Sequence, residues 1–397
     1  MAEPHLAGGR SPDVLLAQVH AAIESGRALC IRGSGSKDWY GEPPAGDLLD
    51  TRSHAGIIDY DPSELVITVR CGTPLAELES ALQASGQMLA CEPPHFGAGA
   101  TVGGCIAAGL SGPRRASAGS VRDFLLGAKL INGRGQHLAF GGQVIKNVAG
   151  YDVSRLLAGS LGILGVLTEV SLKVVPRPVA ETTLRFDGVS KTDALTRLNQ
   201  WGGLPLPVSA SAWHSGTLCL RLSGARAAVR TARASLGGDA VDADTAVAFW
   251  RGLREQTDPF FGQAGALWRL SVPSNSASVT LPAAGPTHGP NDGPNDGPTG
   301  GSTDGSTDGP TAGETEVLIE WGGAQRWLKT DLPADSVRAA ALAAGGHATL
   351  FRPAAGSTRQ APCFARLDPV IAGIHRRLKA EFDPANLFNP GRLYADL

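Results

Sequence analysis

Apolar side chains in the first 90 residues recur at spacings typical of two amphipathic helices. The first helix is predicted between Ser11, as its N-terminal cap, and Gly26. Its apolar stripe consists of Val14, Leu15, Val19, Ala22 and Ile23. The second helix is predicted in TPLAELESALQASG, where Thr73 is the cap and Gly86 ends the helix.

Short apolar runs that end at glycine, proline or polar residues predict strands. Residues 29–31 and the segment ELVITVRCG are such runs, and FLLGAKLINGRGQHLAF is typical of a hairpin that turns near Asn132. In GVLTEVSLKVVP, three residues alternate onto one predicted face, namely Val170, Leu172 and Val174.

The spacing changes after about Arg177, where short helical and strand-like segments alternate. The predicted helices are 192–201, 225–236, 245–255 and 369–380, and the predicted strands are 218–222, 267–272 and 316–321. This alternation favours an antiparallel sheet covered by helices.

Residues 283–313 interrupt the second half with repeated Gly-Pro-Asn-Asp and Gly-Ser-Thr-Asp units. The repeats hold no large apolar side chain and cannot bury a core, so we expect a disordered surface insertion. A calcium-binding β-roll is the alternative, but its repeats need a large apolar residue in each unit.

Composition and charge exclude several classes of protein. The chain has 397 residues and a formal net charge of −2, so it is long enough for two domains and has no basic excess that would indicate nucleic-acid binding. Its six cysteines form no Cys-x-x-Cys pair, which argues against a zinc or iron–sulfur site and favours buried thiols. We expect a cytoplasmic protein without a transmembrane segment, because the sequence has neither a secretory leader nor a run of 18 apolar residues.

Three glycine-rich clusters, at residues 33–36, 100–104 and 159–165, each lie beside a predicted strand or helix. Glycine allows backbone N–H groups to approach phosphate oxygens, and Ser or Thr hydroxyls add donors. Together the clusters favour a large cofactor with two phosphates, although each one alone is equally typical of a turn. Asp38 stands where a Rossmann fingerprint needs its third glycine, and the chain contains no Gly-x4-Gly-Lys-[Ser/Thr] motif.

Five segments resemble, in order and spacing, the PCMH-type FAD-binding domain of the vanillyl-alcohol oxidase superfamily. They are IRGSGSK, ATVGGCIAAGLSGPRR, GSVRDFLLGAKLINGRG, KNVAGYDVSRLLAGSLGILGVLTEVSLKVVP and FNPGRLY. Further segments, such as LREQTDPFF and EWGGAQRWLK, are similar to the FAD-binding E subunits of bacterial glycolate oxidases. The resemblance implies an α+β fold: a two-lobed FAD-binding domain at 1–178, a smaller α+β cap domain with an antiparallel sheet at 179–365, and a helix and tail at 366–397 that return to the FAD domain.

The resemblance also implies which residues bind non-covalent FAD. The implied set is Gly33, Ser34, Gly35 and Ser36 with Thr101, Gly103 and Gly104 on the diphosphate; Gly162, Ile163 and Val166 on the flavin or adenine; and Asn389 and Arg392 at the flavin edge. Ser36 or Lys37 stands where some relatives attach FAD through a histidine, and Leu161 stands where relatives often carry an acid.

Few residues qualify for substrate chemistry. Oxidation of a 2-hydroxy acid needs a cation for the carboxylate and a base for the hydroxyl proton. We predict Arg326 and His347 as candidates, although Arg326 lies between two tryptophans and stacking within the fold is the simpler use of it. No metal is expected, because the nine histidines are dispersed and form no His-x3-His pair.

The resemblance implies an FAD-dependent redox subunit. It would oxidise glycolate to glyoxylate together with a catalytic FAD subunit and an iron–sulfur subunit, and the electrons would pass to a quinone-type acceptor. The chain would lie in the cytoplasm, where its partners are able to hold it at the inner face of the plasma membrane. Two alternatives stay open: a self-sufficient 2-hydroxy-acid dehydrogenase, and a scaffold whose flavin only stabilises the assembly.

Deletion of residues 285–312 is expected to leave the FAD content unchanged, because the repeats supply neither core side chains nor a cofactor motif. The ratio of visible flavin absorbance to protein in the purified chain measures this. A loss of flavin on deletion would instead assign the tract a structural role.

Overall fold

The computed structural model describes residues 12–142, 152–276, 279, 281, 316–359 and 361–397. The predicted cap Ser11, the whole segment KNVAGY and the predicted insertion at 283–313 lie outside these ranges.

The N-terminal part of the chain, up to residue 176, mixes short helices with strands. Its helices are α1 (Asp13–Ser25), α2 (Leu75–Ala84), α3 (Val102–Ala108), α4 (Arg115–Ala118), α5 (Val121–Phe124) and α6 (Ser154–Leu157). Its strands are β1 (Leu29–Arg32), β2 (Asp47–Asp50), β3 (Ile57–Asp61), β4 (Val66–Arg70), β5 (Gln87–Met88), β6 (Leu125–Ile131), β7 (His137–Gly141), β8 (Val166–Lys173) and β9 (Val175–Pro176).

Two sheets of the N-terminal part form the two expected lobes. In the first, β1 and β2 are parallel, and the chain's tail joins them through a bridge between Leu29 and Phe388. In the second, the described strands follow the antiparallel order β3-β4-β8-β6-β7. The hairpin turn near Asn132 is confirmed, because Ile131 pairs with His137.

Three details of the predicted elements are corrected. Only Leu15, Val19 and Ala22 of the α1 stripe are buried, whereas Val14 and Ile23 are exposed. Pro74, not Thr73, is the N-cap of α2, because the Thr73 hydroxyl accepts from Gly56 N at 2.9 Å. Strand β8 is buried on both faces rather than one, since it lies between β4 and β6 in the middle of its sheet.

The C-terminal part carries the larger sheet. Its strands are β10 (Ala180–Phe186), β11 (Val208–His214), β12 (Thr217–Gly224), β13 (Asp239–Ala240), β14 (Ala266–Ser271), β15 (Val317–Glu320), β16 (Gln325–Thr330) and β17 (His347–Arg352). Its helices are α7 (Lys191–Gly202), α8 (Arg226–Leu236), α9 (Ala243–Glu255), α10 (Pro259–Gly262) and α11 (Ala334–Ala343), followed by α12 (Pro369–Phe382).

These strands form one antiparallel sheet with the order β13-β10-β12-β11-β15-β16-β14-β17 among the described residues. Helices α7 and α8 pack their apolar residues on one part of its outer face, and α11 packs on another part. The inner face turns towards the N-terminal part, where Trp327 and Phe351 share a core cluster with Tyr40 and Leu110. The α+β fold with an antiparallel cap sheet is thereby confirmed, while the domain boundaries at 178 and 365 stay a prediction.

A buried ion network joins the two parts. The Glu92 carboxylate accepts from the Arg114 backbone N–H at 2.9 Å and from Arg221 Nη2 at 2.9 Å. Arg114 Nη2 also donates to Glu181 on β10 at 2.7 Å. Burial alone would raise the pKa of Glu92, but Arg221 and Arg114 outweigh it and the pKa is lowered. The ionised carboxylate therefore holds β12 against the loop before α3, and Arg114 connects Glu92 to Glu181 on β10.

Within the described ranges, every helix is too short or too polar to cross a lipid bilayer. All six cysteines are free thiols; Cys30 is half-buried and the others are buried, as expected. No cluster of three potential metal ligands occurs in the part of the chain that the structure describes.

Glu92→Gln is expected to lower the free energy of unfolding by roughly 3 kcal/mol at pH 7, because it leaves the buried Arg221 guanidinium without its counter-charge and Arg114 with Glu181 alone. Urea unfolding measures this, with the exposed Glu24→Gln on α1 as the matched control. Since the pKa of Glu92 is lowered in the folded chain, its contribution is present at neutral pH and is lost as the pH falls through the folded pKa. Equal stability of the two variants would contradict the role of the network.

Candidate cofactor site

An open cleft lies where β1 ends, and we call it the glycine-loop cleft. Residues 31–38 form one wall, and α3 forms the opposite wall with Gly104, Ala107 and Ala108, together with its N-cap Thr101. Leu161 and the tail residues Asn389 and Arg392 close it. The first and second glycine clusters, separated by about 65 residues of sequence, are thus brought face to face.

Three backbone amides of the first cluster are not used in hydrogen bonds within the described part of the chain. In the described part of the chain, the amides of Gly33, Ser34 and Gly35 donate to no protein acceptor. A Cβ at Gly33 would lie 2.3 Å from Thr101 Oγ1, so only glycine permits this approach of the two walls. Gly35 has φ +79°, the left-handed region that favours glycine.

The electrostatics of the cleft favour an anion. Arg32, Lys37 and Arg392 line it with a single carboxylate, Asp38, which pairs with Arg32 Nη2 at 2.6 Å. Burial lowers the pKa of the Lys37 ammonium, and an adjacent phosphate would favour its charged form. Amides without protein acceptors, a helix-capping threonine hydroxyl and three cations therefore fit the diphosphate of FAD.

The tail is fixed to the cleft by buried polar contacts. Asn389 Oδ1 accepts from the Ile31 amide at 2.7 Å, and its Nδ2 donates to the Leu161 carbonyl at 2.7 Å. Lys379 Nζ, on α12, donates to the carbonyls of Ile163 at 2.7 Å and Phe388 at 2.9 Å. Asn389 thus joins β1 to the third glycine cluster, in addition to its predicted place at the site.

Four of the predicted cofactor residues lie beside the glycine-loop cleft rather than on its wall. The Gly103 amide donates to the Cys71 carbonyl at 2.8 Å, and a Cβ there would lie 2.8 Å from Cys71 Cβ. Gly162 packs against Asn389, where a Cβ would lie 2.7 Å from Nδ2. Ile163 and Val166 are buried in apolar clusters. Contact of these four residues with a cofactor stays a prediction.

The structure separates the two predicted substrate residues. Arg326 pairs with Ile319 and Leu270, and this register places it on the outer face of the sheet. Its guanidinium donates to the carbonyls of Gly323 at 3.2 Å and Ser276 at 2.6 Å, so it anchors the outer loops. His347 lies at the exposed start of β17 on the inner-face row, and burial of its ring lowers its pKa. The structure therefore does not bring Arg326 and His347 together.

Sequence reasoning did not identify Arg32 and Lys37 as cations that line the cleft. The available signal was their position at either end of Gly33-Ser34-Gly35-Ser36, since cations that flank an amide-rich loop add to its attraction for anions.

Gly35→Asp is expected to fold but to lose FAD, because it sets a carboxylate against the diphosphate. We expect an affinity loss of about tenfold or more relative to the isosteric Gly35→Asn, which meets the same positive φ and the same contact with Arg32 without the charge. Flavin absorbance after titration with FAD measures the difference. Equal FAD binding by the two variants would contradict the diphosphate assignment.

Comparisons with known proteins agree with this geometry. Residues 6–141 match the family described as FAD binding domain. The chain is similar to alkyldihydroxyacetonephosphate synthase, with a TM-score of 0.64, 15% identity and coverage of 96% of this chain and 75% of that one, which shows a common fold. It is 34% identical to glycolate oxidase subunit GlcD of Bacillus subtilis over 38% of this chain and 33% of that protein.

A second relative covers nearly the whole molecule. Glycolate oxidase subunit GlcE of Escherichia coli is 46% identical over 96% of this chain and 97% of its own length. The chain therefore belongs to the family of glycolate oxidase subunit GlcE, and its N-terminal part is an FAD-binding domain.

Proposed function

We propose that this chain is the FAD-binding redox subunit of a glycolate oxidase complex, which oxidises glycolate to glyoxylate and passes the electrons to a quinone-type acceptor. The observation that carries the proposal is the 46% identity with glycolate oxidase subunit GlcE over 96% of the chain. The glycine-loop cleft supports it, because its amides and cations suit the diphosphate of FAD.

In this proposal the residues of the chain position the cofactor. Gly33, Ser34 and Gly35 present their amides to one phosphate. Thr101 lies on the opposite wall of the cleft, and the Lys37 ammonium neutralises charge on the diphosphate. When bound, FAD supplies a two-electron acceptor. The tail, held by Asn389, closes the cleft at the end nearest the C-terminal part.

The partners in this proposal are a catalytic FAD subunit and an iron–sulfur subunit. The names of the relatives support a complex of several subunits, since each relative is itself called a subunit of glycolate oxidase. We place the chain in the cytoplasm, where those partners would hold it at the inner face of the plasma membrane.

Reconstitution with each subunit omitted in turn tests the proposal, with glycolate and lactate as substrates and a quinone-like dye as acceptor. We expect dye reduction by the full complex and less than about a tenth of it without this chain or with the FAD-depleted Gly35→Asp variant. Full activity with that variant would identify a scaffold. Flavin reduction by glycolate in the isolated chain would identify a self-sufficient dehydrogenase.

A further inference from the structure

A broad open groove lies between α2 of the N-terminal part and the C-terminal end of α9, and we call it the arginine groove. Its volume of about 810 Å³ far exceeds the space that a bound water occupies. Its lining includes Glu79 and Gln83 on α2, Arg251 and Arg254 on α9, Trp39, and Arg352 at the end of β17. The groove is therefore large enough to receive a segment of polypeptide.

Arg352 brings to the groove a guanidinium without an anionic partner. It lies 4.1 Å from the ring centroid of Trp39 and 5.2 Å from that of Phe96. In the part of the chain that the structure describes, it forms no ion pair and donates no side-chain hydrogen bond. Burial lowers the pKa of Arg352 to about 10, so the group is charged at neutral pH. Its N–H donors are available to a ligand that brings acceptors.

The two carboxylates that line the groove are already used by its walls. Glu79 pairs with His95 Nε2 at 3.0 Å and with Arg254 Nη1 at 3.5 Å. Glu255 accepts from the backbone amides of His95 at 3.0 Å and Phe96 at 2.9 Å, and from Arg254 Nε at 2.8 Å. These bonds connect α2, the loop after it and α9. Neither carboxylate neutralises Arg352.

Two further cations add to the positive potential at this place. Arg251 is exposed and forms no ion pair within the described ranges. Lys329 lies near Arg352, since burial and then the charge of Arg352 lower the pKa of its ammonium. Among the charged side chains that line the groove, the unpaired ones are therefore Arg251 and Arg352. A surface whose unpaired charges are all positive attracts an acidic partner.

The stack of Arg352 on Trp39 has the composition typical of a protein interface. Tryptophan and arginine are among the side chains that most often dominate binding between proteins. A guanidinium that stacks by its face keeps the N–H groups at its edge free for a carboxylate, which they can bind in a bidentate manner. Recognition of acidic motifs by arginine clusters uses this geometry.

The arginine groove lies directly beside the glycine-loop cleft. Lys37, which lines that cleft, donates through Nζ to the His95 carbonyl at 3.1 Å. Trp39 Nε1 donates to the Ser36 carbonyl at 3.1 Å. A polypeptide in the groove would therefore contact the same short segment that carries the glycine loop.

We infer that the arginine groove docks an acidic segment of another subunit of the glycolate oxidase complex, with an aspartate or glutamate side chain paired with Arg352. The inference rests on the proposed function for the existence of that subunit. It adds the surface of this chain that makes the contact and the chemistry of the segment that fills it.

Photocrosslinking in the assembled complex of full-length chains tests the inference. The photoreactive residue p-benzoylphenylalanine replaces Gln83, which is exposed and lines the groove, and in a control protein it replaces the exposed Glu24 on α1. We expect irradiation at position 83 to link this chain to another subunit, through a peptide that mass spectrometry shows to carry aspartate or glutamate. An intact complex with no more adduct at 83 than at 24, or an adduct to a segment without acidic residues, would overturn the inference.

Variants of Arg352 identify the group that carries the contact. Arg352→Gln should weaken the affinity for the other subunits by about tenfold or more, and Arg352→Lys should recover only part of it, because an ammonium keeps the charge without the planar fork. The exposed Arg230→Gln on α8 is the matched control and should assemble as the unaltered chain does. Melting temperature and FAD content show whether each variant is folded. A folded Arg352→Gln that assembles normally would exclude the pairing.

The dependence on salt separates a charge pair from a structural role of the stack. The affinity of the unaltered chain for the other subunits should fall as sodium chloride is raised from about 50 to about 300 mM, because salt screens attraction between charges. Arg352→Gln should show a shallower fall. Equal slopes in the two proteins would contradict an ion pair at Arg352.

These outcomes separate the inference from the proposed function. A complex that gives the adduct at position 83 but does not reduce the dye with glycolate would retain the docking surface and remove the function. An active complex without that adduct would retain the function and remove the docking surface. Failure of this chain to assemble with any other subunit would remove both.

Discussion

The carboxamide of Asn389 is the contact on which the cofactor cleft depends. It accepts from the Ile31 amide, 358 residues earlier, and donates to the Leu161 carbonyl, 228 residues earlier. The contact with Leu161 is buried and the contact with Ile31 is half-buried, so an aliphatic side chain there would leave an unpaired donor and an unpaired acceptor. The backbone repeats the connection, because the Asn389 amide donates to the Leu29 carbonyl at 2.9 Å. Strand β1 therefore presents its glycine loop at a position set by the end of the chain.

The loop that follows β1 also contacts the C-terminal sheet. After the glycines the chain continues into Trp39 and Tyr40, which pack on Phe351 of that sheet with ring centroids 5.0 and 5.3 Å away. Tyr40 also accepts a hydrogen bond from Arg269 on β14 at 3.2 Å. One short segment thus lines the glycine-loop cleft at its start and packs on the C-terminal sheet at its end.

Local features could be predicted from the sequence. The face of the sheet on which a side chain lies could not, because it depends on the register of the strands. Gly33 to Ser36, Thr101 and Gly104 were predicted correctly as neighbours of one cleft, because loops of glycine and hydroxyl residues have the same local form in any fold. Arg326 was predicted near the substrate, but the pairing of β16 with β14 and β15 turns it outward and turns Trp327 inward. A shift of one residue exchanges the two faces of a strand, and the sequence of that strand alone does not fix the shift. Strands β11 and β16 were missed for a related reason, since most of their polar residues are buried by neighbouring elements that lie far away in the sequence.

Two buried carboxyl groups at the interface of the two parts have opposite environments. Glu92 is surrounded by the donors of Arg114 and Arg221, and its pKa is lowered, whereas Glu320 meets only the neutral donors of Trp327 and Gln325, and its pKa is raised to about 7. Glu92 needs its charge to hold the two parts together. Glu320 does not, because a neutral amide would also accept from Trp327 Nε1. The hydrogen bonds of Glu320 do not require its carboxyl group to be ionised. This group differs from an amide at the same position in that it can change its charge near neutral pH. That property separates Glu320 from the structural network at Glu92, where the charge itself holds the two parts together.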